Sequence, residues 1–259
     1  MKVDPNEHDL LVIFLVSVVV ILLAGEVGRW LSRGAPKQGK DNISTLEGAI
    51  LGLLALMIGF TFAMALSRFE ARRDAVLIEA NAIGTTALRA RLLPAPHNGE
   101  TLKLLREYVQ LRLDITRHMP TSAELDTMVG RSNAIQEALW QQAKAVAARD
   151  NAMVPTGLFI QSLNEMIDDQ EKRLMAVRNR LPIVILLALY GVATIAVGFA
   201  GYASGSQTRR SRLPVYLVGI LVAAMVILIQ DLDRPGAGFI RVGQESMFSV
   251  AASIAAFAD

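Results

Sequence analysis

The residue types that most often carry chemistry are sparse in this sequence. The three histidines, His8, His97 and His118, stand far apart, and no histidine pair has the spacing of a helical metal site. The sequence also contains no phosphate-binding glycine loop and no serine elbow motif. We therefore predict that the protein is not an enzyme, and we assign no catalytic residue, no metal ligand and no cofactor.

The strongest candidate for a metal site is an acidic run at 165–171. Its carboxylates could lie on one helix, but Lys172 and Arg173 follow directly. Mixed charges at such short spacings are typical of a solvated helix face with local ion pairs, and we favour that interpretation over a metal site. The acidic residues are Glu165, Asp168, Asp169 and Glu171.

Asp231 and Asp233 are a more informative pair of carboxylates. They follow a long apolar stretch and stand just before Pro235, so the sequence predicts that a helix ends here. Carboxylates at a helix C-terminus oppose the macrodipole, and helix propensity does not explain them. They either pair with basic residues or attract cations, and we favour pairing. The candidate partners are Arg68, Arg72 and Arg73.

Hydropathy shows which elements must position these residues. The chain has 259 residues, of which 53% are hydrophobic and 19% charged, and the apolar residues are clustered. Four windows, at 10–31, 46–66, 182–203 and 213–229, have about the 20 residues that a membrane-spanning helix needs. The sequence thus predicts an all-α membrane protein with four transmembrane helices.

The spans form two hairpins, at 1–67 and 182–230, on either side of a polar insert at 68–181. The insert is too long for a connecting loop and too periodic for disorder, so we predict a helical domain. An acidic turn and tail remain at 231–259. Apolar residues at positions 247, 251, 254 and 257 of the tail predict a helix packed on the insert or on a neighbouring subunit.

A proline-free stretch at 46–93 joins the second span to the insert. At ~1.5 Å per residue, a helix of this length extends over roughly 70 Å, which is more than twice the ~30 Å hydrocarbon core. The stretch changes from apolar to charged at 67–73. We predict one continuous helix that crosses the membrane and continues as a rigid stalk.

Charge and cysteine content exclude several classes of function. The 26 Lys and Arg are interleaved with 24 Asp and Glu, and the net charge of +2 gives no basis for nucleic-acid binding. The absence of cysteine excludes disulfides, a thiol nucleophile and a cysteine zinc site. Basic residues in the short loops and beside the insert favour opposite orientations, so charge alone leaves the membrane topology open.

Two groups of motifs resemble the bestrophin family. Gly59-Phe60, followed by Arg68-Phe69 and Glu70-Ala71-Arg72, is similar to the bestrophin pattern of Gly-Phe, an Arg-aromatic pair and Glu-Ala-Arg. Residues 231–235 resemble the acidic-aliphatic-acidic-x-Pro turn after the last span of that family. The order of spans and insert extends the likeness over nearly the whole chain, which resembles a bacterial group of bestrophin-like membrane proteins.

This resemblance implies a homopentameric ion channel of the bacterial inner membrane, with the second spans around a central pore. It places the insert and both termini in the cytoplasm, and it implies lipid, ions and further copies of the chain as partners. A hydrophobic neck narrows the bestrophin pore, and the matching positions here are Gly52, Leu56 and Phe60. An apolar constriction gates by dewetting and requires large side chains, which Gly52 does not offer.

The same resemblance assigns the inner mouth of the pore, where Arg68, Arg72, Arg73, Asp231 and Asp233 would brace the structure or tune conduction. One alternative stays open, because stripes of small apolar residues serve helix bundles equally well. The chain could be a non-conducting, membrane-anchored helical scaffold or sensor that binds a partner through the insert.

Overall fold

A computed structural model describes residues 5–34, 40–117, 122–205, 212–235 and 238–257. Within these ranges the protein is almost entirely helical and has no β-strand, which confirms the predicted all-α class. Short helical turns lie at Ser32–Gly34 and Met153–Gly157. The longer helices are α1 (Pro5–Leu31), α2 (Lys40–Ala90), α3 (His97–Arg117), α4 (Ser122–Ala147), α5 (Leu158–Arg178), α6 (Ile183–Gly205), α7 (Leu213–Asp233) and α8 (Glu245–Ala255).

Among the described residues, four helical stretches are long and apolar enough to cross a membrane. They are Leu10–Leu31 in α1, Thr45–Ala90 in α2, Met153–Gly205, which includes α6, and Leu213–Asp233, which is α7. The predicted arrangement of two spans, a long helical insert and two further spans is confirmed. Helix α2 is continuous over 51 residues, as expected from the absence of any helix breaker between its apolar and charged parts.

The chain forms two compact units. The membrane unit consists of Met1–Phe69 and Arg180–Arg241, and the helical unit consists of Glu70–Asn179 and Val242–Asp259. Each unit has its own hydrophobic core. The chain passes from one unit to the other within α2, just before α6 and between Arg241 and Val242.

Glycines allow α1 and α6 to pack backbone against backbone in the membrane unit. A Cβ atom at Gly28 would lie 1.9 Å from the Gly198 carbonyl oxygen, and a Cβ atom at Gly201 would lie 2.0 Å from the Gly25 carbonyl oxygen. Even a methyl side chain would therefore not fit at Gly28 or Gly201 without a shift of the helices. Contact between helix backbones through small residues is a common way to join helices in lipid, where the hydrophobic effect supplies little driving force.

A neutral polar cluster joins three helices of the membrane unit. The Tyr190 hydroxyl of α6 lies 2.9 Å from the Ser17 hydroxyl of α1 and accepts a 3.0 Å hydrogen bond from the Gln230 amide of α7. Ser17 is also within 2.6 Å of the Ile13 carbonyl oxygen. Hydroxyl and amide groups can satisfy one another in this way without placing a charge among apolar side chains.

The helical unit packs α3, α4, α5 and α8 with residues 70–90 around large buried side chains such as Tyr108 and Phe159. Helix α8 contributes Met247, Val250 and Ile254 to this core. The Arg106 guanidinium of α3 donates hydrogen bonds to the carbonyl oxygens of Ile254 and Phe257, where α8 ends. The Ile254 carbonyl oxygen also accepts the Phe257 N–H at 3.3 Å, and the Arg106 guanidinium adds a cap at the C-terminus of α8.

Candidate functional site

The predicted neck residues lie on a face of α2 that the rest of the membrane unit leaves uncovered. Leu56 is 56% exposed and Phe60 is 64% exposed. Gly52 is exposed as well, and a Cβ atom there would have no other atom within 4 Å. The opposite face of the helix is buried through Leu54 and Ala65. An uncovered apolar face of this kind is suited to contact with lipid, another subunit or a pore.

The three arginines predicted for the inner mouth have different environments. The half-buried Arg68 side chain folds back along its own helix, where Nη1 donates to the Met64 carbonyl oxygen at 3.2 Å. Arg72 is buried and Arg73 is exposed. The three arginines are close in sequence, but their side chains therefore do not share one exposed surface.

Asp231 accepts two backbone hydrogen bonds from the segment that follows α7. The Phe239 N–H donates to Oδ1 at 2.9 Å, and the Ile240 N–H donates to Oδ2 at 3.0 Å. Gly238 has φ of +130°, a conformation that residues with side chains rarely adopt, and a Cβ atom there would lie 1.9 Å from Asp231 Oδ1. Asp231 and Gly238 together fix the path of the chain after α7.

Asp233 has an equivalent role at the start of α6. The buried carboxylate accepts the Leu181 N–H, with Oδ1 at 2.9 Å and Oδ2 at 3.0 Å from the nitrogen. Leu181 lies two residues before the first residue of α6, so Asp233 ties the end of one span to the beginning of another. Backbone N–H groups thus stabilise both aspartates, and the pairing with arginines remains a prediction.

A second polar site lies in the core of the helical unit, where the carboxylate of Glu79 is fully buried between two guanidinium groups. We call Glu79, Arg112 and Arg173 the buried ionic cluster. Arg112 Nε is 2.7 Å from Glu79 Oε1, and Arg173 Nη1 donates to Glu79 Oε2 at 2.5 Å. All three side chains are at least nine-tenths buried. The cluster connects α2, α3 and α5.

Neutral groups complete the coordination of this cluster. The Tyr108 hydroxyl lies 3.1 Å from Glu79 Oε1 and 2.8 Å from Gln170 Oε1, and the Gln136 amide donates to Gln170 Oε1 at 3.1 Å. Arg173 Nη2 donates to Gln244 Oε1, just before α8. These bonds extend the network to α4 and to the segment that leads into α8.

Burial and the mutual attraction of the charges shift the pKa values of the groups in this cluster. Burial raises the pKa of the Tyr108 phenol, and the adjacent Glu79 charge raises it further, so the phenol stays protonated. Burial alone would lower the pKa of Arg112, but attraction to Glu79 outweighs it and raises the pKa of that guanidinium. Burial lowers the pKa of the Arg173 guanidinium, although attraction to Glu79 opposes that shift. The arrangement is a structural anchor of the helical unit.

This cluster was not predicted from the sequence. Glu79 is three residues after Val76 and four before Ile83, so it interrupts the apolar stripe that faces the core. An acidic residue within an apolar helix stripe predicts a buried carboxylate that needs a partner, and this was the one indication of the cluster in the sequence.

In the acidic run at 165–171, Glu165, Asp168 and Glu171 are exposed, whereas Asp169 is buried and forms an ion pair of 2.8 Å with Lys172. Among the described residues, no group of three or more His, Asp or Glu could hold a metal ion.

These features define an all-α, multi-pass membrane protein in which a long helix leaves the apolar layer and carries a helical insert. The Bestrophin-like domain model matches residues 12–247. The chain therefore belongs to the bestrophin-like family, and the resemblance predicted from its motifs is confirmed.

Solved structures support the same fold. A crystal structure of a bacterial bestrophin homolog from Klebsiella pneumoniae has a TM-score of 0.66 at 16% identity, covering 94% of this chain and 96% of that chain. Two point mutants of that homolog give TM-scores of 0.69 and 0.67 at 14% and 15% identity, each covering 95% of this chain and 98% and 96% of theirs. None of the curated proteins matches the sequence.

Proposed function

We propose that the protein is a homopentameric ion channel of the bacterial inner membrane, with helix α2 of each subunit lining a central pore. The observation that carries this proposal is the uncovered apolar face at Gly52, Leu56 and Phe60. This face belongs to the long second span of the family fold. In an oligomer, the same face of each α2 helix could surround an ion pathway. Lipid, permeating ions and other copies of the chain would be the partners.

Leu56 and Phe60 would form the constriction. They are one helical turn apart, so each would contribute one ring of apolar side chains in the oligomer. A narrow apolar ring blocks ions because water leaves it, and the barrier falls when the ring widens. Gly52, one turn before Leu56, would form a wider level of the same pathway.

The inner mouth would be built at the cytoplasmic ends of the spans. Asp231 and Asp233 would brace it through the backbone hydrogen bonds described above. Arg68, Arg72 and Arg73, which follow the constriction along α2, would brace it or tune conduction. The helical insert and both chain termini would then be cytoplasmic. Protease digestion of sealed vesicles tests this orientation, because an insert on the outside contradicts it.

The rival function is a scaffold or sensor that does not conduct. It is supported by large apolar side chains on the surface of the helical unit, such as Leu88 and Leu92, which are both more than half exposed. A partner protein could cover them. The mass of the purified protein in detergent separates the two functions, since five copies favour the channel and a monomer or dimer favours the scaffold.

Potassium flux from liposomes that contain the purified protein tests conduction. Leu56→Ala and Phe60→Ala remove apolar bulk from the constriction, and we expect each to raise the flux about tenfold, equivalent to a barrier lowered by ~1.4 kcal/mol. Leu11→Ala is the matched control, because Leu11 is an exposed residue of α1 outside the proposed pore. No flux from a folded oligomer, or equal flux from all variants, contradicts the constriction.

A further inference from the structure

The segment 238–241, which follows α7, lies across the ends of two membrane helices within the membrane unit. A Cβ atom at its first residue, Gly238, would be 3.4 Å from Leu10 Cδ1, at the start of the apolar part of α1. Two backbone N–H groups of the segment donate to the Asp231 carboxylate in the last turn of α7. Ile240 packs against the core of the same unit. The backbone of this segment, which we call the post-α7 segment, is therefore fixed at one end of the membrane helices.

The length of α1 indicates that the post-α7 segment lies at a membrane boundary. Leu10 and Trp30 are 20 residues apart (30 − 10 = 20), which is ~30 Å along an α-helix and matches the thickness of the hydrocarbon core. Trp30 is 66% exposed, and tryptophan prefers the interface between lipid and water. With Trp30 at one interface, Leu10 and the segment beside it lie at the opposite one. Helix α7 has 21 residues and also extends over ~30 Å, so it ends at this boundary as well.

Two side chains of the post-α7 segment are exposed. Phe239 is 69% exposed, whereas its neighbour Ile240 is packed on the core. Arg241 is exposed, and its Nε donates to the Gly238 carbonyl oxygen at 3.0 Å. A phenyl ring on a fixed backbone gains free energy when lipid covers it, because apolar surface is then removed from water. The ring is therefore better suited to a membrane boundary than to water.

The charges around the exposed ring also fit a membrane boundary. In the ranges 180–183 and 231–241, every described charged side chain that is not buried belongs to an arginine, and the two aspartates are buried. Backbone N–H groups already occupy the carboxylates of these aspartates. The complementary group for an exposed guanidinium beside an apolar ring is the phosphate of a phospholipid. The arginines are Arg180, Arg234 and Arg241.

We propose that Phe239 and Arg241 form an interfacial anchor that binds phospholipid. The ring of Phe239 inserts at the boundary between headgroups and acyl chains, and the guanidinium of Arg241 contacts lipid phosphate at the level of the headgroups. Asp231 and Gly238 set the direction of this anchor, because they fix the backbone on which both side chains stand. The inference goes beyond the proposed function and needs no ion conduction.

The test is the accessibility of a nitroxide spin label in phospholipid liposomes. The chain contains no cysteine, so Phe239→Cys and Arg241→Cys each give a single labelling site. Molecular oxygen enters the acyl chains, whereas a polar nickel chelate stays in water, and collisions of the label with each are measured by electron paramagnetic resonance. We expect the oxygen-to-nickel ratio at position 239 to be about fivefold that of a label in water, because transfer of a polar solute into lipid is unfavourable. The ratio at position 241 should be lower than at position 239.

Two control positions calibrate the scale. Leu15→Cys, in the exposed apolar face of α1, represents lipid, and Glu171→Cys, at an exposed position on α5, represents water. All four variants replace exposed side chains and should elute from a sizing column as the wild-type protein does.

Three results overturn the inference. The first is a label at position 239 with the water-like ratio of Glu171→Cys. The second is a label at position 239 that collides with neither reagent, because protein, such as a second copy of the chain, then covers the site. The third is a ratio at position 241 that equals or exceeds the ratio at position 239. None of these results bears on conduction, so the proposed function stands or falls separately on the flux experiment.

Discussion

The membrane unit and the helical unit both bury carboxylates, but they stabilise them differently. In the membrane unit, Asp231 and Asp233 accept hydrogen bonds from backbone N–H groups, and the Tyr190 cluster nearby is built from neutral side chains. In the helical unit, Glu79 is held by two guanidinium groups. The membrane unit uses buried polar groups to fix chain turns and helix contacts, whereas the helical unit uses full charges to fix its core.

This difference has an energetic consequence. A buried ion pair adds little net stability over an apolar core, yet removal of one partner is costly because the remaining charge has no compensation. A neutral hydroxyl network loses much less when one member is removed. The two units should therefore respond very differently to conservative substitutions in their polar sites, and three substitutions test this comparison.

Glu79→Gln should have the largest effect. It leaves Arg112 and Arg173 buried without a carboxylate, and we expect the helical unit to lose ~3–5 kcal/mol of stability. Trp140 packs against the core of this unit, and the chain has one other tryptophan, Trp30. Thermal unfolding followed by fluorescence in a Trp30→Phe background measures the change.

Glu171→Gln is the control for this experiment. The same chemical change is made at an exposed position on α5, and the unfolding temperature should not move. If Glu79→Gln is as stable as Glu171→Gln, the buried ionic cluster is not the anchor that we describe.

Gly238→Ala should be the next most damaging change. It places a side chain at φ of +130° and within 1.9 Å of Asp231 Oδ1, so it breaks the turn after α7. We expect a loss of ~2–4 kcal/mol, from backbone strain and the lost hydrogen bonds together. The fraction of protein that stays soluble in detergent after heating is the readout. Gly191→Ala, where a Cβ atom meets nothing within 4 Å, should behave as the wild type, and equal losses from both would refute the role of Gly238.

Tyr190→Phe should have the smallest effect. It removes the hydroxyl that joins Ser17 and Gln230, and polar contacts between membrane helices contribute ~0.6 kcal/mol on average. The same heating experiment should show a shift of only a few degrees. Tyr202→Phe on the same helix is the matched control. A loss as large as that of Glu79→Gln would contradict the distinction between the neutral and the charged sites.

Much of the fold could be predicted from the sequence, because hydropathy and the positions of prolines act locally. The four spans and the continuous helix through Ser67 follow from residues that are close in sequence. The predicted tail helix was equally local, and the structure buries Met247 and Ile254 of α8 in the helical unit. The choice between packing on the insert and packing on a neighbour needed the structure.

The sites were harder to predict, because their members are distant in sequence or carry no distinctive side chain. Glu79 meets Arg112 and Arg173 across 33 and 94 positions, and no local pattern joins them. Asp231 and Asp233 stood out because they oppose the macrodipole of α7. Their partners could not be predicted, because nearly every residue has a backbone N–H and residue types do not show which of them donates. The neck at Gly52, Leu56 and Phe60 remains a prediction that only the oligomer can test.

The central claim is that the face of α2 with Leu56 and Phe60 lines the ion pathway. The chain contains no cysteine, so a single Phe60→Cys variant gives a unique site for a charged, water-soluble thiol reagent. Leu15→Cys, at a position 61% exposed on α1, is the control for an uncovered apolar site outside the pathway. Potassium flux is measured in liposomes before and after treatment.

We predict that the reagent blocks flux through the Phe60→Cys protein and leaves the Leu15→Cys protein unchanged. We expect this block of potassium flux because a charged adduct at position 60 would obstruct the ring of side chains that forms the narrowest part of the pore. Flux through labelled Phe60→Cys that equals the unlabelled value would contradict the assignment of this face of α2 to the pore.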